Sequence, residues 1–198
     1  VGAGGMGEVF RARDTRLDRD VALKVLSSGL INSELARERF QREARTVAAL
    51  HHPHICAVYD VGETPEHQSF IVMEFLQGET LDERLRKGPL DVPMVVDTAI
   101  ALTEALAAAH AAGIVHRDIK PANIHMGDDG QLRILDLGVA QSGRELESQP
   151  EAPQAGTPSF LAPEQFANAP ASAQTDLYSM GVTLYYLLTR HYPYGEIE

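Results

Sequence analysis

"HRDIKPAN", residues 116–123, sets a histidine, an arginine, an aspartate, a lysine and an asparagine into eight positions. An alanine-rich helical run precedes it and a short apolar stretch follows, so the pattern puts these polar groups beside a core. Polar and charged groups at such a place are costly unless each has a partner. What they do is read from the chain on either side.

Downstream, "NIHM", the turn "GDDG" and "LRIL" spell a β-hairpin by their turn chemistry. Asn123 precedes its first strand and Asp136 follows its second, which brings both to the open end of the hairpin. An amide oxygen and a carboxylate at one spot suit Mg²⁺, a cation that takes hard oxygen ligands shared with substrate phosphates. Both residues are equally at home as ordinary polar ends of strands. From Gln141 to Pro158 the chain is rich in Gln, Ser, Glu, Pro and Gly and reads as a long loop. Long loops inside compact domains are usually functional.

Upstream, the first seventy-odd residues read as an antiparallel sheet with one helix. "EVFRARD" and "DVALKVL" alternate apolar and polar residues around the charged turn "TRLDRD". A helix from about Ser33 to Leu50 carries Phe40, Ala44 and Val47 as its buried stripe. "CAVYDVG" and "SFIVMEFL" give two more strands. Thr80 and Glu83 form a capping box for a short helix ended by Gly88. Asp91 caps a long helix running to about Ala112, with Gly113 as its stop. "LYSMGVTLYYLL", residues 177–188, is too short to span a bilayer and reads as a buried helix.

Two further clusters carry chemistry. "VGAGGMGEV" places Gly2, Gly4 and Gly7 in a G-x-G-x-x-G-x-V pattern, whose bare backbone can point N–H groups at phosphates. By itself the pattern is either a phosphate loop or a plain turn. A dinucleotide site would need a helix directly after the glycines, and here a strand follows. Lys24 ends "VALK" on the face of small Ala22, and Glu43 falls within the apolar stripe of the first helix. Either Lys24 is a solvated edge lysine, or it is the partner that a carboxylate in that stripe requires.

The chain has 198 residues, enough for one large domain or two small lobes. Its 44% hydrophobic and 23% charged content reads as an ordinary soluble globular protein. With 17 Lys and Arg against 28 Asp and Glu, the net charge of −11 argues against a nucleic-acid partner. A nucleotide remains compatible, since a few placed lysines and glycines suffice for phosphate. Cys56 is the single cysteine, so no disulfide forms within the chain and a reducing, cytoplasmic setting is expected. No signal peptide is visible and no membrane span is expected within these residues. The chain opens on Val1 directly before the glycines and stops at "HYPYGEIE" without a closing element. It reads as a fragment lacking the start of the first strand and the last helices, with room outside it for a membrane anchor or sensor.

Taken in order, the glycine loop, "VALK", the helix glutamate, "HRDIKPAN", "DLG", "GT", "APE" and "DLYSMG" resemble the catalytic domain of bacterial eukaryotic-like (Hanks-type) Ser/Thr protein kinases. The resemblance runs through the whole chain. It implies an α+β, two-lobed fold, with a small antiparallel-β lobe over residues 1–77 and a larger, mostly helical, incomplete lobe over 78–198. It implies transfer of the ATP γ-phosphoryl group to Ser or Thr hydroxyls of protein substrates, with self-association for autophosphorylation as a further partner. Asp118 matches the catalytic base, Lys120 the γ-phosphate stabiliser, and Asn123 and Asp136 the Mg²⁺ ligands. Lys24 with Glu43 matches the pair that positions the α- and β-phosphates. Gly2, Ala3, Gly4, Gly5, Met6, Gly7 and Val9 match the loop over the nucleotide, with Ala22 beside it. Met73 matches the gatekeeper, and Glu74 and Leu76 the backbone that reaches for adenine. His116 is implied to be a packed core histidine, and Asp176 to brace the "HRD" backbone. Arg117 marks the subtype in which an anion from the activation loop docks beside the base. Ser142 and Ser148 are the only hydroxyls between Asp136 and Gly156; the acidic stretch before "GT" is either an ordinary solvated loop, or one in which Glu147 or Glu151 replaces the phosphate, with Ser148 as the fallback phosphosite.

The chain departs from the family at three places. Leu137 replaces the usual phenylalanine after the metal aspartate, and His125 stands where an apolar residue floors the adenine. The arginine that pairs with Glu164 of "APE" is missing. A pseudokinase and a small-molecule phosphotransferase are the rival readings. Lys24, Glu43, Asp118, Asn123 and Asp136 together argue against the first, and "GTPSFLAPE" against the second.

Overall fold

Gly7–Asp14 (β2) and Arg19–Leu26 (β3) pair as an antiparallel hairpin, and β3 buries Val21 on one face and Lys24 and Leu26 on the other, as a strand covered on both sides does. Asp14 closes their turn by accepting the amides of Arg16 and Leu17. The coordinates are a computed structural model that describes residues 2–4, 7–27, 34–65, 68–137 and 158–195. Gly5 and Met6 of the glycine run lie outside the described residues, as do Gly156, Thr157 and the loop residues Ser142, Glu147, Ser148 and Glu151.

β2 is flanked by the short strand Gly2–Gly4 (β1), and β3 by Ser69–Glu74 (β5), which also pairs with Val58–Glu63 (β4). The result is a five-stranded antiparallel sheet in the order β1-β2-β3-β5-β4. The helix Glu34–Ala48 (α1) buries Phe40, Ala44 and Val47, the stripe expected from their spacing. Both β4 and β5 are shorter than their sequence signals: Cys56 and Ala57 precede β4, and Phe75 and Leu76 follow β5.

The second sheet holds a strand that the pattern did not reveal. The hairpin Ile124–Gly127 (β7) and Leu132–Ile134 (β8) forms as expected, and Gly78–Thr80 (β6) adds to its edge. Three residues are too few for any periodicity. Gly78 has φ of +128°, and a Cβ there would collide with the Met126 carbonyl, so glycine is required for the close pairing. Thr80 then caps Leu81–Arg86 (α2) through a complete capping box with Glu83.

Asp91 caps Val92–Ala111 (α3) by accepting the Met94 amide at 2.9 Å, and Gly113, at φ of +75°, ends it. α3 is long and apolar enough to cross a bilayer by length and composition alone. It nonetheless buries a stripe from Val95 through Leu102 to Ala109 against β8 and Ala173–Thr189 (α5). A four-residue helix, Pro163–Phe166 (α4), precedes α5.

α5 corrects one expectation. It is not buried all round, for Leu177, Tyr185 and Leu188 are about half exposed. Its buried side carries Thr175, Asp176, Ser179 and Thr183 among Val182 and Leu187.

The chain divides into two compact units, one drawn from Val1–His51 and Cys56–Leu76, the other from His52–Ile55, Gln77–Gly138 and Gly156–Glu198. The excursion His52–Ile55 belongs to the second because Ile55 bridges Ile134, and the His54 carbonyl accepts the Ile134 amide at 2.9 Å. The first unit is a sheet with one helix and the second is mostly helical, the α+β organisation expected from sequence.

Candidate active site

Strand register assembles one group of the candidate residues within the first unit. Val9 lies opposite Lys24, which lies opposite Ile71, and Ala22 lies opposite Met73. Directly opposed residues project to the same face of a sheet, and so do residues two apart on one strand. Val9, Ala22, Lys24 and Met73 therefore share one face. Lys24 is only 4% exposed, so the solvated-edge reading fails. Glu43 is half-buried on α1.

Gly7 has φ of +135°, and a Cβ on it would strike the Val25 carbonyl oxygen. Only glycine fits there, which is a physical reason for the last glycine of the run. The backbone N–H of Glu74 donates to the Ala57 carbonyl at 2.9 Å, and Leu76 follows in irregular backbone.

The second group sits in the second unit, on the loop between α3 and β7. Asp118 is the hub of its polar contacts. Its Oδ2 accepts Asn123 Nδ2 at 2.9 Å and lies 2.8 Å from Lys120 Nζ. Asn123 Nδ2 also donates to the Asp118 carbonyl at 2.8 Å. Both contacts of that nitrogen are to acceptors, which fixes the amide orientation and makes Oδ1 the atom left to face a cation. Asp136, at the open end of the hairpin, adopts φ of +56°, a left-handed conformation that costs a non-glycine residue about 1–3 kcal/mol. The Leu135 amide donates to the Asn123 carbonyl at 2.9 Å and ties the two ends of the hairpin together. Leu137 is buried.

This donor set, an amide oxygen and a carboxylate, fits Mg²⁺. Among the described residues no three His, Cys, Asp or Glu side chains converge on a metal position. A cation held here would complete its shell with ligand oxygens and water rather than with a protein cage.

The loop is held from behind by a buried carboxylate. Asp176 on α5 is fully buried and accepts the amides of His116 at 2.9 Å and Arg117 at 2.7 Å. That is the bracing role expected of it. Arg117 needs the support, since its φ is +71°. His116, also fully buried, accepts the Asp118 amide on Nδ1 and donates from Nε2 to the Leu135 carbonyl. It is a core histidine with both ring nitrogens used.

Three anchors escaped the sequence reading. Gln165 on α4 donates to the Arg117 carbonyl at 2.9 Å and accepts the Ala162 amide. Thr183 donates to the Ile119 carbonyl at 3.2 Å. His110 Nε2 donates to Asp176 Oδ2 at 2.7 Å. Only His110 left a signal: a histidine in the last turn of a helix whose buried face is otherwise Ala, Leu, Val and Thr. Glu164, expected to lack its arginine, accepts the Thr175 hydroxyl at 2.6 Å, and that bond holds its carboxyl below the usual range.

His125 lies on β7 opposite Thr80 and Arg133 and is 8% exposed. Its Nδ1 has no hydrogen-bond partner among the described residues. Burial, and next the nearby Arg133 charge, push its imidazole below the ordinary histidine range, so the neutral form is favoured.

Comparison with known proteins agrees with this geometry. Residues 1–198 match the family described as "Protein kinase domain". A probable serine/threonine-protein kinase of Streptomyces coelicolor is 42% identical over 98% of this chain and 30% of its own length. The serine/threonine-protein kinase PknL of Mycobacterium tuberculosis is 42% identical over 98% of this chain and 49% of its own. The chain thus spans a third to a half of the curated relatives it matches. Among solved structures, the PknI kinase domain of Mycobacterium tuberculosis superposes with a TM-score of 0.82 at 31% identity, covering 100% of this chain and 75% of that one.

Proposed function

Because the chain belongs to the protein kinase domain family, we propose that it transfers the γ-phosphoryl group of ATP to Ser or Thr hydroxyls of proteins, a second copy of itself among them. The observation that carries the proposal is the hub at Asp118. A carboxylate is held by an asparagine amide, sits beside a lysine ammonium, and stands on a loop whose backbone is strapped to a buried aspartate.

In this reading Asp118 orients the acceptor hydroxyl and takes its proton. Lys120, already beside that carboxylate, offsets the charge of the phosphoryl group as it moves. Asn123 through Oδ1 and Asp136 through its carboxylate hold Mg²⁺, which when bound neutralises phosphate charge. Lys24 contacts the α- and β-phosphates and takes Glu43 as its partner. Gly2, Gly4 and Gly7 bring bare backbone to the phosphates, and Val9, Ala22 and Met73 supply an apolar face for adenine. Glu74 uses its carbonyl, since its amide is engaged by Ala57. Leu76 uses its backbone, and His125 lies under the ring. Phosphoryl transfer works by positioning and charge stabilisation, which is why so many polar groups crowd into residues 116–123. The reading places the domain in the cytoplasm, where ATP is present.

The test is transfer of radiolabelled γ-phosphate to a Ser- and Thr-containing protein by parent and Asp118→Asn. Turnover is expected to fall by roughly 10²–10⁴-fold, as for loss of a general base, with Mg-ATP binding retained. Equal turnover would overturn the assignment.

A further inference from the structure

Three rings and an arginine at the C-terminal end of α5 form a cluster that the proposed chemistry does not use. Tyr186 and Tyr192 stack with centroids 4.8 Å apart and planes at 22°. Phe160, from the single 3₁₀ turn Pro158–Phe160, meets both of them edge to face, at 5.6 and 5.3 Å. The Arg190 guanidinium lies over the Tyr186 ring, 5.6 Å from its centroid, within cation–π range. Phe160 is buried, Tyr186 and Tyr192 are half-buried, and Arg190 is exposed.

Arg190 stands where the backbone favours a different residue. It follows the last turn of α5 at φ of +62°, and its amide donates to the Tyr186 carbonyl at 2.8 Å. Glycine takes that left-handed position without steric cost and is the usual residue there. The turn is nonetheless held, for the His191 amide donates to Thr189 Oγ1 at 3.1 Å, and Thr189 Oγ1 donates to the Tyr185 carbonyl at 2.8 Å. A side chain kept on a strained backbone, in a turn that fixes it, points to a use for that side chain. Neither the guanidinium nor the Tyr186 hydroxyl has a hydrogen-bond or ion-pair partner among the described residues. A guanidinium stacked on a ring keeps its in-plane N–H fork open, the geometry that grips a carboxylate through two parallel bonds.

The cluster is tied to the loop that carries Asp118. Thr183 lies on the same side of α5 as Tyr186 and Arg190 and donates to the carbonyl of Ile119, the residue after Asp118. Phe160 leads into α4, whose Gln165 donates to the Arg117 carbonyl. At 1.5 Å of rise per residue, Arg190 lies about 10 Å along α5 from Thr183. An extended peptide covers that distance in about three residues.

We infer that Arg190, held over Tyr186, is a specificity-determining residue: it takes the carboxylate of an Asp or Glu about three residues from the acceptor hydroxyl of a protein substrate. The inference rests on Asp118 marking the site of transfer. With a net charge of −11 the chain as a whole repels acidic segments, so the preference belongs to one substrate position and is not spread over many.

The test reads kcat/KM of the full-length protein on peptides with one Ser in an alanine–glycine background, carrying a single Glu or Gln at each position in turn. At one position, about three residues from the Ser, Glu is expected to exceed Gln by about tenfold, an advantage that added salt reduces. Arg190→Gly removes the guanidinium and suits the left-handed backbone, so the fold is not at risk, and the Glu advantage is expected to vanish. Arg190→Glu is expected to move the preference at that position from Glu to Lys. Each comparison is a ratio within one variant, so a general change in activity cancels. No position favouring Glu, a Glu advantage that survives Arg190→Gly, or no switch to Lys in Arg190→Glu would each overturn the inference. The same peptides, fluorescently labelled, are titrated against the Asp118→Asn protein. A Glu advantage in binding there, lost on adding Arg190→Gly, upholds the inference even where Asp118→Asn turns over normally. Its absence, with turnover abolished, overturns the inference and leaves the reading of Asp118 standing.

Discussion

The β2–β3 hairpin and the loop at 116–123 are both dense in charge, and they use it in opposite ways. Over residues 11–20, "RARDTRLDRD" joins Arg11 and Arg13 to Asp18 and Asp20, and Arg19 to Asp14. The Arg11 and Arg13 side chains are 58% and 51% exposed. Water reaches both partners of the Arg11 and Arg13 pairs, salt screens them, and their net worth is small. Asp176 has 0% exposure, and its three donors are two backbone amides and one imidazole. There, taking away one partner strands the others in a low-dielectric interior. Residue type is shared by the two regions; burial makes the difference.

The contrast breaks most sharply at Asp176. Asp176→Ala strands three donors, and unfolding free energy measured by denaturant titration is expected to fall by roughly 3–5 kcal/mol, with phosphoryl transfer lost as well. A small change in both would mean that the loop at 116–123 does not depend on its buried anchor.

His125 tests the same principle with the opposite sign. Its buried Nδ1 lacks a partner among the described residues, so His125→Leu removes an unsatisfied polar atom. The variant is expected to gain about 1 kcal/mol of stability, seen as a higher melting temperature. A pH dependence follows. The folded-state pKa lies below the unfolded value near 6.5, so the unfolded chain binds the proton first as pH falls. Stability from this residue is present above pH 6.5 and declines as pH drops from there toward the folded pKa. His125→Leu should flatten that part of the stability–pH curve. A curve identical to the parent's would show that His125 is solvated when folded.

The smallest effect is expected on the surface. Asp20→Asn removes an ion-pair partner from Arg11 and Arg13. Its change in melting temperature should be slight, should shrink further on adding salt, and should leave turnover unaltered. A salt-independent loss would place the hairpin network among the structural anchors.

Much of this architecture is legible in local sequence. Thr80 with Glu83, Asp91, Gly113 and the "GDDG" turn each act within a few residues, and each forms as its chemistry requires. The stripe of Phe40, Ala44 and Val47 follows from helical period alone. β6 was not legible, because three residues show no period and exist as a strand only where β7 accepts them. The buried face of α5 was misread for a related reason. Its apolar run suggested burial throughout, yet the second unit buries Thr175, Asp176, Ser179 and Thr183 and leaves Leu177 and Leu188 half exposed.

By itself the sequence determined which elements form, and which polar residues crowd into the loop between α3 and β7, since propensity, capping and turn chemistry are short-range. Only the tertiary structure decided what each polar residue is paired with. His110 meets Asp176 across 66 residues, Arg117 meets Asp176 across 59, and Gln165 meets Arg117 across 48. No local rule spans those separations. A charged side chain is structurally decisive or incidental according to whether the folded chain withdraws it from water and supplies it with partners, and both depend on where distant segments come to rest.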